Sequence, residues 1–322
     1  MRLSLNIYAM AYAAGIYNPD GHVPYFQSAT DFLPFVEKVG LTTLELPLDY
    51  FFGRLDHDDF TSFMTAAHQR GIKIFPAIEN FDTQFFKENL GHMSAYGWQN
   101  VRIKMPHLGD TFYGGNRHLS KHFNHSLASF KTALDAIEDD LAAAGVAVAI
   151  ENHQDVDAYE LLAICQSAKH GMRRITWDVG NSLSTYHTAE QFVQITGAYI
   201  ANIHLKDYTI NKMDEGIALR RSVLGEGFID LDNMARLINT LPACANVSME
   251  LAAHPDRVCR IYDPSYHQNS LASDDDKAVF TQFINEKMVA DTGATMLKGE
   301  KLTYAELIQT EVSCDLMRGM FA

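Results

Sequence analysis

No CxxC pair occurs in the chain, although it holds four cysteines, Cys165, Cys244, Cys259 and Cys314. This rules out the close thiolate pairs of a structural zinc site and the dense spacing of a disulfide-stapled domain. Cys165 falls in a helical apolar pattern, where a thiol packs as a small hydrophobe. The opening segment MRLSLNIYAM alternates like a strand and has no charged stretch followed by a long apolar core, so no signal peptide is read there. Scattered thiols without such a signal predict a reduced, cytoplasmic protein. No apolar run is long enough to span a bilayer. Basic residues are few, with 26 Lys and Arg against 40 Asp and Glu and a formal net charge of -14. Phosphodiester backbones need a Lys/Arg surface, so nucleic acid is not an expected partner. No low-complexity segment and no Pro/Ser-rich linker divides the chain.

What is present is a repeating unit: a short apolar run, a loop, an amphipathic helix. The runs are RLSLNIYA (2–9), TTLELPL (42–48), IKIFPAI (72–78), NVRIKMP (100–106), VAVAIEN (146–152), RITWDVG (174–180), IANIHLKD (200–207) and NVSMELA (246–252). Helical patterns cover 31–40, 58–71, 126–145, 158–171, 189–197 and 231–241, and several end in Gly, a helix stop. Strands alternating with helices pair in parallel, and near-continuous apolar strands are covered on both faces. Eight units in 322 residues fit a closed (β/α)8 TIM barrel. The open-sheet alternative wants a glycine-rich phosphate fingerprint after the first strand, and YAMAYAAG stands there instead. The barrel is expected over 1–290. Residues 277–289 are a candidate eighth helix. Residues 291–322 are expected as a C-terminal helical extension, striped by Leu307, Ile308, Val312, Leu316 and Met320, that covers the barrel or forms a subunit contact.

In such a barrel the active site lies at the C-terminal ends of the strands. The fifth to eighth runs place Glu151, Asp178, His204 and Glu250 there. Any one of them alone is better read as a cap or a packed polar residue. On four successive strands, three carboxylates converging on one mouth repel each other and take up protons unless a cation neutralises them. Oxygen ligands with one imidazole predict a hard-to-borderline divalent ion. Mn2+ comes first, with Mg2+, Co2+ or Zn2+ as alternatives, rather than a thiolate-bound structural zinc. Strand parity puts His153 and Lys206 on the side of Glu151 and His204. With Arg221 they form a cationic rim suited to a carboxylate, a phosphate or an oxyanion; the plain alternative pairs Lys206 with Asp207 or another carboxylate. Glu45, Glu79 and His107 end the second to fourth runs and are candidates for contacting the far end of a substrate.

These motifs, IEN, WDVGN, HLKD, RRSVLGEG and MEL, resemble the xylose isomerase-like TIM barrels, the sugar phosphate isomerase/epimerase or AP endonuclease 2 superfamily. The resemblance covers about residues 3 to 290. It implies Glu151, Asp178, His204 and Glu250 as metal ligands, with Glu151 and Glu250 also the acid/base pair, and Arg221 on substrate oxygens. It implies a small carbohydrate substrate and a dimer or tetramer. Ketose 3-epimerases carry a His three residues after the metal-binding Asp. Here Asn181 stands there, a hydroxyl partner at best. Asn181 and Arg221 also replace two zinc-binding His of endonuclease IV, which with the acidic charge counts against DNA repair. The expected chemistry is removal of a proton next to a carbonyl, through an enediolate that a metal stabilises. An isomerase or epimerase of a keto-sugar is the first reading. A lyase, decarboxylating or dehydrating a keto-sugar acid or inosose, is the second, favoured by Lys206, His153 and Asn181. A non-catalytic sugar-binding barrel is the third, disfavoured by the complete ligand set.

Overall fold

In the computed structural model the described residues are 1–106, 116–254, 256–268, 270–291, 293 and 297–322. Seven parallel strands come first: β1 (Arg2–Asn6), β2 (Thr43–Pro47), β3 (Lys73–Ile78), β4 (Asn100–Ile103), β5 (Ala147–Glu151), β6 (Arg173–Asp178) and β7 (Ile200–Leu205). A hairpin follows, β8 (Tyr208–Met213) and β9 (Gly216–Arg221), before the eighth barrel strand, β10 (Asn246–Met249). The barrel closes in the order β1-β10-β7-β6-β5-β4-β3-β2. Its closure pairs Leu5 with Met249 on one side of β1 and Asn6 with Glu45 on the other. β2, β5, β7 and β10 are buried at every position, which is why they read as near-continuous apolar runs.

Local signals fix the ends of the helices. Asp157 caps Ala158–Gln166 through the Tyr159 N–H, with Glu160 reaching back to form a capping box. Gly145 ends Glu138–Ala144 in the left-handed conformation, φ 68°. The pattern over 126–145 is two helices, Phe123–Asp135 and Glu138–Ala144. A further helix, Thr83–Ala95, connects β3 and β4, and Gly91 and scattered apolar residues give it little helical periodicity.

Two differences from the sequence reading matter for the site. The hairpin belongs to a second sheet, with β11 (Arg257–Cys259) antiparallel to β9 and β12 (Met288–Val289) parallel to β8. The place beside β10 and the helix Leu231–Asn239 is taken by Gly299–Met320, not by the helix Asp274–Lys287. Asp274–Lys287 instead meets Tyr159 and Gln191 through Asp276. Nor does the expected stripe of Gly299–Met320 face inward. Leu307 is buried, but Ile308, Val312 and Leu316 are exposed, and the inner face carries Glu306, Thr310, Ser313, Cys314 and Met317. The reason is backbone satisfaction. Glu306 accepts from the Tyr12 and Ala13 N–H groups at 3.0 Å each, Thr310 donates to Ala9 O at 3.1 Å, and Ser313 accepts from Leu224 N–H.

Candidate metal centre and active site

The strand ends converge as the barrel requires. Parallel pairing sets Asp178 beside His204, and Ser248 in β10 opposite His204. One ligand atom from each of Glu151, Asp178, His204 and Glu250 lies within 4.8 Å of the others, and all four residues are buried. His204 Nδ1 is 2.8 Å from Glu250 Oε2 and 3.9 Å from Glu151 Oε1. Among the described residues it has no well-oriented hydrogen-bond partner; burial lowers the imidazole, but Glu45 and Glu250 outweigh burial and hold it well above its usual range. Three carboxylates around a buried imidazole nitrogen lacking such a partner are a donor set that could bind a metal, of the hard-to-borderline divalent kind. The electrostatics agree. Burial pushes Glu151 up to about 7, helped by Glu250 and Asp178 and opposed by Arg102 and His204. Burial also raises Asp178, although Lys206 opposes it. For Glu250 burial is outweighed by Lys206 and His204, which hold the carboxyl well below its usual range.

Each of the four grouped residues is held from behind. Glu45, expected at the far end of a substrate, is instead fully buried beneath His204. Its Oε1 lies 2.8 Å from His204 Nε2, and its other oxygen accepts from Ser248 and Asn202. That contact fixes the ring and turns Nδ1 toward the cluster. Asn181, expected on a substrate hydroxyl, instead donates to Asp178 Oδ2 at 2.7 Å, and its backbone N–H reaches Oδ1. Asn6 donates to Glu250 Oε2 at 2.6 Å. Asn152 ties β5 to β6 by accepting from Asp178 N–H and donating to Asp178 O. Below the cluster Arg102 reaches Glu151, Glu45 and Glu79, and Lys104 joins Glu79 at 2.7 Å.

A cavity of about 230 Å³ meets the cluster at Glu250, and Lys206, His153, Lys104, His254, Arg257, Tyr8, Tyr17 and Tyr50 also line it. Lys206 lies 2.5 Å from both Asp178 Oδ2 and Glu250 Oε1, so its partners are ligand carboxylates rather than Asp207. His153 reaches the cavity, but burial, Lys104 and Lys206 hold it well below its usual range. It is a neutral member of the wall, not part of a cationic rim. Arg221 is not a lining residue. Burial lowers it to about 10, and it donates to Gln309, Ala252 O and Ala9 O, binding the C-terminal helix to the loops after β10 and β1. His107 lies outside the described residues. Lys104, Arg257, Tyr8 and Tyr50 were missed. Lys104 alone left a signal, a charge at the end of an apolar strand on the parity of Arg102.

A closed parallel barrel with a metal-type cluster at its C-terminal mouth defines a class, and comparison places the chain within it. The family model for the xylose isomerase-like TIM barrel matches residues 33–272, and the chain belongs to that family. One curated relative is the 3-oxo-isoapionate decarboxylase of Pectobacterium atrosepticum, 21% identical over 124 residues, 37% of this chain and 45% of the relative. The chain thus spans just under half the length of that relative. A D-psicose 3-epimerase crystallised with D-fructose is 12% identical, with a TM-score of 0.58 over 89% of this chain and 99% of that one. The D-psicose 3-epimerase of Clostridium cellulolyticum H10, with D-tagatose, is 14% identical, with a TM-score of 0.54 over the same shares. At these identities the likeness establishes the fold. No helix among the described residues is long and apolar enough to cross a membrane.

Proposed function

We propose that the protein is a divalent-metal-dependent isomerase or epimerase of a small keto-sugar or sugar derivative, acting in the cytoplasm. The observation that carries this is the grouping of four ligand-type residues within 4.8 Å, one of which, Glu250, also lines a cavity of about 230 Å³. Glu151, Asp178, His204 and Glu250 would hold the ion, Mn2+ first among candidates. A divalent ion bound there supplies Lewis acidity that favours loss of a proton next to a carbonyl. The protein supplies position and proton carriers. Glu151 and Glu250 are on β5 and just past β10, on opposite sides of β6 and β7, so they flank whatever sits above the cluster. One carboxylate takes the α-proton and the other returns it. Return to the opposite face epimerises; return to the neighbouring carbon isomerises.

A second reading has its own observation. Lys104, Lys206 and Arg257 line the cavity with Glu250 the one carboxylate among the described lining residues. That wall suits a keto-sugar acid, and loss of its carboxylate yields the same enediolate, which makes the protein a decarboxylase; loss of a β-hydroxyl makes it a dehydratase. The decarboxylase relative points the same way. Incubation of Mn2+-reconstituted protein with ketoses, inososes and keto-sugar acids in D2O, read by NMR with Glu250→Gln as control, separates the two. Deuterium at an α-carbon with the carbon skeleton intact supports the first reading. Release of CO2 or water supports the second. A protein that turns over nothing and binds no divalent ion refutes both.

A further inference from the structure

We propose that Lys206 is an exchangeable internal cation: a divalent ion entering the cluster displaces its ammonium from Asp178 and Glu250 into the cavity, where it binds the acid group of an anionic sugar derivative. This rests on the metal-dependent reading above and adds to it a substrate class and an order of binding. Lys206 Nζ is 2.5 Å from Asp178 Oδ2 and 2.5 Å from Glu250 Oε1, and these carboxylates are two of the four grouped ligands. The Lys206 side chain is 8% exposed, so its charge and that of an ion on the same carboxylates repel across a medium that screens poorly. The other cations nearby have different partners. Lys104 is held by Glu79 at 2.7 Å, and Arg102 by Glu79, Glu151 and Glu45. Among the described lysines and arginines, Lys206 is the one within ion-pair distance of two carboxylates of the cluster.

The displaced ammonium has somewhere to go. Lys206 already lines the cavity, and its four-carbon stem lets Nζ move without the backbone. There it adds a third cation to a wall that carries Lys104 and Arg257, with Glu250 the one carboxylate among the described lining residues, and an added positive charge favours an anion. Ion and anion therefore strengthen each other's binding, and the coupling is reciprocal. The acid group is a carboxylate or a phosphate, which share this chemistry.

The test uses the wild-type chain, so it does not depend on how a variant folds. Lysines are acylated with an N-hydroxysuccinimide ester, with Mn2+ or with chelator, and modification at Lys206 is followed by peptide mass spectrometry. The expected result is about tenfold faster modification with Mn2+. Malonate, inorganic phosphate or both then protect Lys206 in the Mn2+ form but not in the chelated form; malonate protection assigns a carboxylate, phosphate protection a phosphate. As a second measurement, Lys206→Met binds Mn2+ about tenfold more tightly than wild type by calorimetry, and neither anion tightens it further. Mn2+ that binds without changing Lys206 reactivity, or a Lys206→Met chain that binds it more weakly, makes Lys206 a fixed bracket and overturns the proposal while leaving the metal reading intact. Protection by neither anion overturns the substrate class. Failure of wild-type protein to bind Mn2+ overturns both the proposal and the reading beneath it.

Discussion

The Glu79 carboxyl is buried against two cations, Arg102 and Lys104, the latter at 2.7 Å. Burial works to raise it, but Arg102 and Lys104 outweigh burial and hold it down to about 2, from an ordinary 4.5. The sign follows: a depressed carboxyl stabilises the fold fully above about pH 4.5, and that contribution is lost as pH falls toward 2. The shift corresponds to about 3 kcal/mol. Urea titrations at pH 7, 4.5 and 3 should show this loss in wild type. Glu79→Gln should be less stable at pH 7 by about 3–5 kcal/mol, because it removes the carboxylate that Lys104 pairs with and one of the three that Arg102 reaches, and flatter below pH 4.5. Glu45 gives a second prediction. As the partner of His204 Nε2, its change to Gln should weaken Mn2+ binding about 10–100-fold by calorimetry, with the far-UV spectrum unchanged. That Glu151, Asp178, His204 and Glu250 come together was legible because each lies at the end of an apolar run and is too costly to bury without a partner. Asn6 on Glu250 and Glu45 on His204 were not. Those contacts cross 244 and 159 residues, and they exist because β1 pairs with β10 and β2 to close the barrel.

Among the elements, the hairpin β8–β9 depends on the last residue of HLKD. Asp207 accepts from the backbone N–H groups of Gly225 and Gly227 with one oxygen and of Ile229 and Tyr208 with the other. Gly227 must be glycine, since a Cβ there would overlap Asp207 and the Tyr208 backbone. Gly180 in WDVGN has the same origin: a Cβ would strike the Tyr208 ring and come within 2.9 Å of Lys206 O. The two motifs are therefore the packing of the ligand-bearing loop of β6 against the start of the hairpin. Asp207→Asn turns an amide NH2 toward N–H donors whichever way it flips. It should cost about 2–4 kcal/mol in chemical denaturation and speed hydrogen exchange at Gly225, Gly227 and Ile229. Unchanged exchange at those amides would show that the loop does not need this anchor. The barrel strands were readable as a repeated unit. The hairpin was not, because β8 and β9 pair outside the barrel and their polar residues, such as Asn211 and Arg220, look like loop. Only the alternation around the turn Asp214-Glu215-Gly216 marked it.

For the whole molecule the question is whether Gly299–Met320 is an appendage or part of the barrel. Its sequence reads as a helix that covers the barrel or forms a subunit contact, and its inner face packs on the barrel. Leu302, Leu307, Cys314 and Met317 are buried on its inner face, each contributing about 2 kcal/mol by burial. Glu306 is the acceptor for Tyr12 and Ala13, and Gln309 holds Arg221, which in turn binds Ala9 O and Ala252 O. Ala252 is two residues beyond Glu250, so the helix braces the loop that carries one of the four grouped residues. A chain ending at residue 296 should therefore lose more than its tail. Its urea transition should broaden and shift below wild type, a hydrophobic dye should bind the uncovered barrel, and any Mn2+ affinity that survives should fall. A truncated chain with a sharp transition at the wild-type midpoint and wild-type Mn2+ affinity would make the helix an appendage after all. If instead stability falls while Mn2+ affinity holds, Arg221 braces the fold but not the site.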